Sequence, residues 1–282
     1  MNGIRLHYVE AGSGPLVVLL HGFPEFWYGW RRQIPALARA GYRVIAPDLR
    51  GYNLSDKPLG LAAYTLDCLT DDVAALIEHA GAETAAVIGH DWGGAIAWAL
   101  PVRHPTRVHR MAVLNSAPAV ALSHAILHRP RQLRRSWYIL FFQIPGLAEA
   151  GYRAQDFRLL RSLLRTDAAR PDSFTDEDIE QYVAALRRPG ALTAMVNYYR
   201  AGRLYGPQML RHPPAALTIP VLALHGMRDR YLGPELLDDL PAFAHSLRVV
   251  RFPDATHWVQ HDEPERVNGL LVEFLAEGSP GV

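Results

Sequence analysis

The chain of 282 residues has a single cysteine, Cys68, so an intramolecular disulfide framework is excluded. It also lacks a charge of dominant sign, with 29 Lys plus Arg against 28 Asp plus Glu. That balance gives no reason to expect nucleic acid or an anionic membrane as a partner. No apolar run reaches the roughly 18 residues of a membrane span. The first ten residues alternate as a strand (Ile4, Leu6, Tyr8) and do not read as a signal peptide, which makes a cytoplasmic enzyme the default expectation. Repeats and low-complexity tracts are absent. Convincing strand patterns are missing from Ser116 to Leu217.

The remainder of the chain is rich in strands. Leu16–Leu20, Tyr42–Ala46, Ala85–Ile88 and Val108–Leu114 are short apolar runs of the kind buried on both faces of a sheet. Helical patterns separate them, one through Ile34, Leu37 and Ala38 ending at Gly41, another from Tyr64 to Ala80 ending at Gly81. Cys68 falls in the second pattern as a small packing residue. After the strandless stretch the rhythm resumes with Val221–Leu224, Leu247–Phe252 and an amphipathic helix carrying Val267, Leu270, Leu271 and Phe274. The order predicts an α/β fold with a mostly parallel sheet and helices on both faces. It divides the chain into a core of residues 1–115 and 218–282 and an all-helical cap of residues 116–217, with breaks at Pro145-Gly146, Pro189-Gly190 and Pro213-Pro214. The cap would sit over the carboxyl ends of the strands, where open α/β sheets bind ligands. The basic cluster Arg129, Arg131, Arg134 and Arg135 reads as a solvated face.

Gly89-His90-Asp91-Trp92-Gly93 follows a buried strand and opens a helix. Small residues on either side let strand and helix approach closely while the central residue is held exposed on a sharp turn. Here that residue is a carboxylate. A serine suits attack on an acyl carbon, whereas a carboxylate can displace a leaving group at saturated carbon and form an alkyl ester. Partners follow in the chain order nucleophile, acid, histidine. Asp229 stands just past one strand and His257 past the last, so Asp229 would orient the imidazole and His257 would deprotonate water. Asp254, Asp262 and His261 are nearby decoys, and Asn115-Ser116, after the alternative strand, offers no carboxylate. The loop His21-Gly22-Phe23-Pro24 can bring the backbone N–H of Phe23 beside that of Trp92 as an oxyanion hole. His21 reads as structural, bonding loop backbone, and Pro24 as a candidate cis proline.

These segments, with Glu25-Phe26-Trp27-Tyr28, Asp48-Leu49-Arg50-Gly51-Tyr52, Gly94 and His257-Trp258, together resemble the soluble epoxide hydrolases of the α/β-hydrolase fold. The similarity runs over essentially the whole chain and corresponds to the hydrolase part alone, without the N-terminal phosphatase domain of mammalian relatives. The resemblance implies opening of an oxirane to a vicinal diol, with two cap tyrosines protonating the epoxide oxygen. Tyr138, in Trp137-Tyr138-Ile139-Leu140-Phe141-Phe142, and Tyr199, in Asn197-Tyr198-Tyr199-Arg200, match those positions. A phenol of pKa about 10 is protonated at neutral pH and suits the role. Asn53 stands where the family usually has glycine, and Asn tolerates positive φ. Pro101 falls inside the helix after the elbow, about two turns from its start.

An apolar pocket lined by Pro24, Trp137, Phe141, Met195 and Trp258 is expected. The expected partners are a small apolar epoxide and water, with no metal, cofactor, nucleic acid or membrane, in a monomer or homodimer. The runner-up reading is a haloalkane dehalogenase, which shares the aspartate nucleophile but needs N–H donors for a halide; the side chain of Phe23 offers none. A non-catalytic ligand-binding protein of the same fold is the alternative from another class.

Overall fold

The computed structural model describes residues 2–205 and 214–277, the side chain of Tyr205 excepted. Met1, Pro213 of the Pro213-Pro214 break, and residues 278–282 of the expected core lie outside the described residues. The core is one seven-stranded sheet in the order β1-β3-β2-β4-β5-β6-β7. Its strands are β1 (Tyr8–Ala11), β2 (Leu16–Leu20), β3 (Arg43–Pro47), β4 (Ala85–His90), β5 (Val108–Leu114), β6 (Val221–Gly226) and β7 (Leu247–Phe252). Only β1 is antiparallel, pairing at the edge with β3; the others run parallel.

Alternation along each strand sends successive side chains to opposite faces. Val18, Leu20, Val87 and Val113 pack with α2 (Leu66–His79) and α3 (Trp92–Arg103) on one face. Val17, Leu19, Ile88 and Leu114 pack on the other with Leu37 of α1 (Gln33–Arg39) and with Val267, Leu271 and Phe274 of the last helix, Pro264–Ala276. Both faces are therefore covered, which is why these strands read as unbroken apolar runs. Thr65 caps α2 by accepting from the Cys68 N–H. Pro101 sits in the final turn of α3, away from the elbow.

Between β5 and β6 the described residues form six helices: α4 (Ala119–His128), α5 (Pro130–Arg135), α6 (Trp137–Phe142), α7 (Leu147–Asp167), α8 (Asp176–Arg187) and α9 (Ala191–Tyr205). α7 is broken at Ala154–Phe157, where Gln155, Asp156 and Phe157 all adopt left-handed conformations. Nothing in the sequence signals that break, since none of the three is glycine.

Polar ties hold the helical segment over the strand ends. Asp178 accepts from Tyr28 and pairs with Arg31 at 2.7 Å, and the Tyr198 hydroxyl donates to the Arg50 carbonyl at 2.7 Å. Asn53, with φ of 37°, links Asp48 to Arg188. Half of the basic cluster departs from the solvated reading: Arg129 pairs with Asp239 and Arg135 with Glu235, anchoring α5 to the loop after β6. Arg131 and Arg134 remain exposed.

Candidate active site

Asp91 lies between β4 and α3 with φ 50° and ψ −116°, a strained conformation for a non-glycine residue. The surrounding glycines make it possible. A Cβ on Gly89 would fall 2.3 Å from the Gly93 carbonyl oxygen, and one on Gly93 would fall 2.0 Å from that of Leu20. A Cβ on Gly22 would stand 2.5 Å from Asp91 Oδ1, so that glycine clears the space the carboxylate occupies. The Ser116 hydroxyl and the Ala95 N–H both donate to the Asp91 carbonyl, securing the turn.

The Phe23 N–H donates to Asp91 Oδ1 at 2.8 Å. Trp92 opens α3, and the first N–H groups of a helix have no acceptor within it. The Phe23–Pro24 peptide bond is cis. His21 is buried and neutral in its bonding, donating from Nδ1 to the Gly22 carbonyl and accepting the Leu49 N–H at Nε2; burial lowers its pKa.

His257 and Asp229 meet beside the elbow. His257 Nδ1 donates to Asp229 Oδ2 at 2.8 Å, and Nε2 stands 3.7 Å from Asp91 Oδ2. Asp229 accepts three further bonds, from Asn115 Nδ2 and the N–H groups of Tyr231 and Leu232. Burial works against its charge, but the His257 charge and hydrogen bond hold the carboxyl far below the usual range. Burial likewise works against an imidazolium at His257. The Asp229 charge and hydrogen bond, followed by the charges of Asp91 and Glu25, outweigh it and raise the group to about 9.

Tyr138 and Tyr199 come from α6 and α9, and their ring centroids lie 5.8 Å apart. Both line a cavity of about 140 Å³ that also contains Asp91 and His257. Burial first, then the Asp91 charge, pushes both phenols well above 10, so both stay protonated. Tyr198 turns the other way, into the core. Pro24, Trp137, Phe141 and Trp258 line the cavity, joined by Phe142, Tyr152, Leu159, Leu163 and Tyr231. Met195 does not: it lies one turn before Tyr199 on α9 and is fully buried, covered by core packing.

The decoys are structural. Asp262 pins the loop before His257 to the helical segment, accepting from Thr256 and Ser173 and from the Ala169 N–H. Asp254 is exposed. His261 donates to Glu25, a buried carboxylate that sequence reasoning passed over. Glu25 also accepts from His90, Tyr182 and Gln260. Burial would raise its pKa, yet the bonds from His261 and His90 hold it well below normal. His90 faces the His257 carbonyl with its other nitrogen at 2.9 Å, so both ring nitrogens meet acceptors. Asn115, which offers no carboxylate, bridges Asp229 to the Gly226 N–H. Among the described residues no cluster of metal-ligating side chains occurs.

Comparison with known proteins places the whole chain in a family. The family model of the alpha/beta hydrolase fold matches residues 15–264. The AB hydrolase superfamily protein YfhM of Bacillus subtilis (strain 168) is 45% identical over 97% of this chain and 95% of its own. Epoxide hydrolase 4 of Mus musculus is 38% identical over 98% of this chain and 77% of its own length. Among solved structures, an epoxide hydrolase from Bacillus megaterium superposes with a TM-score of 0.90 at 31% identity, covering 98% of both chains. Epoxide Hydrolase A from Mycobacterium thermoresistibile gives 0.83 at 36% identity, covering 98% of this chain and 96% of that one. A full-length match of sequence and fold, with an aspartate at the elbow, leaves one assignment: the chain belongs to the epoxide-hydrolase family of the α/β-hydrolase fold.

Proposed function

We propose that the protein converts an epoxide to a vicinal diol through a covalent alkyl ester on Asp91. The observation that carries this reading is the placement of a carboxylate nucleophile and two protonated phenols, Tyr138 and Tyr199, in one apolar cavity. Residues 116–217 act as a cap over the core formed by 1–115 and 218–282, and bring the phenols to the nucleophile.

In the first step an Asp91 carboxylate oxygen attacks a ring carbon, and that carbon's bond to the epoxide oxygen breaks. The departing alkoxide takes a proton from Tyr138 or Tyr199. Alkylation also removes the Asp91 charge, one of the causes that hold His257 protonated at neutral pH. The imidazolium then gives up its proton more readily, that proton returns the phenolate to a phenol, and His257 is left neutral and able to act as a base. It then takes a proton from water, and the hydroxide adds to the Asp91 carbonyl carbon. The N–H groups of Phe23 and Trp92 receive the oxyanion. Collapse releases the diol and restores the carboxylate.

A single turnover in ¹⁸O-water tests the reading. The diol formed from a simple aryl epoxide should carry ordinary oxygen, and the heavy atom should remain on Asp91. Heavy oxygen in the first-turnover diol would assign direct attack by water. Efficient halide release from chloroalkanes without diol formation would move the protein to the dehalogenases.

A further inference from the structure

The outer face of the cap carries an apolar stripe. Leu133, Trp137, Leu140, Ile144 and Leu147 follow one another at spacings of four, three, four and three. They belong to consecutive short elements: Leu133 to α5, Trp137 and Leu140 to α6, Ile144 to the turn after it and Leu147 to the start of α7. All five are exposed, from 45% at Leu147 to 64% at Trp137. The opposite side of the same stretch, Gln132, Ser136, Phe142 and Ala148, is buried. The outer surface of α5, α6 and the start of α7 thus carries more apolar side chains than cap packing requires.

Cations outnumber acids around the stripe: Arg134, Arg135 and Arg230 surround Trp137 with Asp167 the one acid among them, paired to Arg230, while Arg135 pairs with Glu235. No aspartate or glutamate occurs between Asp91 and Glu149, and Glu149 is itself buried against Arg200. Arg131 and Arg134 lie beside the stripe, exposed and absent from the ion pairs of the described residues. The near-zero net charge of the whole chain therefore conceals a local excess of cation. The stripe also borders the active-site cavity, because Trp137 and the exposed Leu159 line it.

We propose that this face docks on the surface of an anionic lipid bilayer, placing the cavity mouth at the boundary from which an apolar substrate would enter. Apolar residues with tryptophan on one side and arginines at the edge are the pattern of interfacial helices, which lie in the plane of a membrane. A second copy of the chain fits less well. A symmetric contact would set Arg131 and Arg134 against their own kind, since the nearby Asp167 and Glu235 are already paired to other arginines, and would bury Trp137 at the mouth. Docking is read without turnover, so it stands or falls separately from the reaction proposed above.

The experiment is co-sedimentation of the protein with vesicles of phosphatidylglycerol and phosphatidylcholine, and with vesicles of phosphatidylcholine alone. The wild type should bind the anionic vesicles, more weakly as salt rises. The double variant Leu140→Glu with Ile144→Glu should lower partitioning about tenfold or more. Arg131→Glu with Arg134→Glu should remove the preference for anionic lipid. Circular dichroism and hydrolysis of a small water-soluble epoxide should be unchanged in both, since none of the four residues lines the cavity. A wild type that stays in the supernatant at low salt overturns the proposal, as does equal binding by the Leu140/Ile144 variant. A wild-type dimer that this variant dissociates, with no vesicle binding, would assign the face to a second copy.

Discussion

His257 Nε2 stands 3.7 Å from Asp91 Oδ2, beyond hydrogen-bond range, whereas its Nδ1 is 2.8 Å from Asp229. The imidazole is held by its acid partner and leaves the Asp91 carboxylate unengaged by it, as the proposed attack requires. Alkylation should then not need His257 as a base. His257→Gln should accumulate one substrate mass per chain on intact-protein mass spectrometry, mapping to Asp91, while Asp91→Ala should gain none. A folded His257→Gln protein that binds substrate without modification would contradict the two-step reaction.

Tyr138→Phe or Tyr199→Phe should slow alkylation by roughly 10- to 100-fold, and the double variant should be nearly inactive, since general acids contribute about 10²–10⁴-fold. Tyr198→Phe supplies the contrast. Its hydroxyl bonds the Arg50 carbonyl in the core, so the loss should be about 1 kcal/mol of stability with turnover retained. Stopped-flow rates and urea melts of the three variants separate these outcomes.

A histidine raised from about 6.5 to about 9 by folding makes stability depend on pH. The folded state binds the proton more tightly, so its contribution is complete below about 6.5 and is lost as pH rises through about 9. The wild type should lose about 3 kcal/mol of unfolding free energy between those values relative to His257→Gln. Urea denaturation at both ends of the window measures it, and parallel slopes for the two proteins would remove His257 as the cause.

Arg200, next to Tyr199, spans the two helices that carry the phenols. Its guanidinium donates to the Phe142 and Ile144 carbonyls at the end of α6 and pairs with Glu149 at 2.8 Å. Arg200→Lys keeps the charge and loses the fork. We expect alkylation to slow about tenfold, with breakdown of the alkyl ester at the wild-type rate. Equal slowing of both phases, with a lowered melting temperature, would reduce Arg200 to a structural role.

Much of the fold was legible because strands covered on both faces leave unbroken apolar runs, and the elbow because its glycines are forced by close approach. What escaped were residues defined by partners far away in the chain. Asn115 looked inert until Asp229, 114 residues later, was placed beside it. Met195 looks like cavity lining on apolarity alone; it shares a helix face with Tyr199, and only the packing around α9 shows that it is covered. The left-handed break in α7 leaves no local trace, and the anchoring of Arg129 and Arg135 depends on acids after β6.

Glu25 lies early in the chain, yet its donors are at positions 90, 182, 260 and 261. As the polypeptide is made from its amino end, this carboxylate would wait through most of synthesis with part of its hydrogen-bonding complement unmade. Closing a loop of more than 200 residues is slow to achieve, though long loops add little extra cost once closed. The site behind His257 is thus completed only when segments more than 200 residues apart in the chain have met, so the order around the base depends on the fold as a whole.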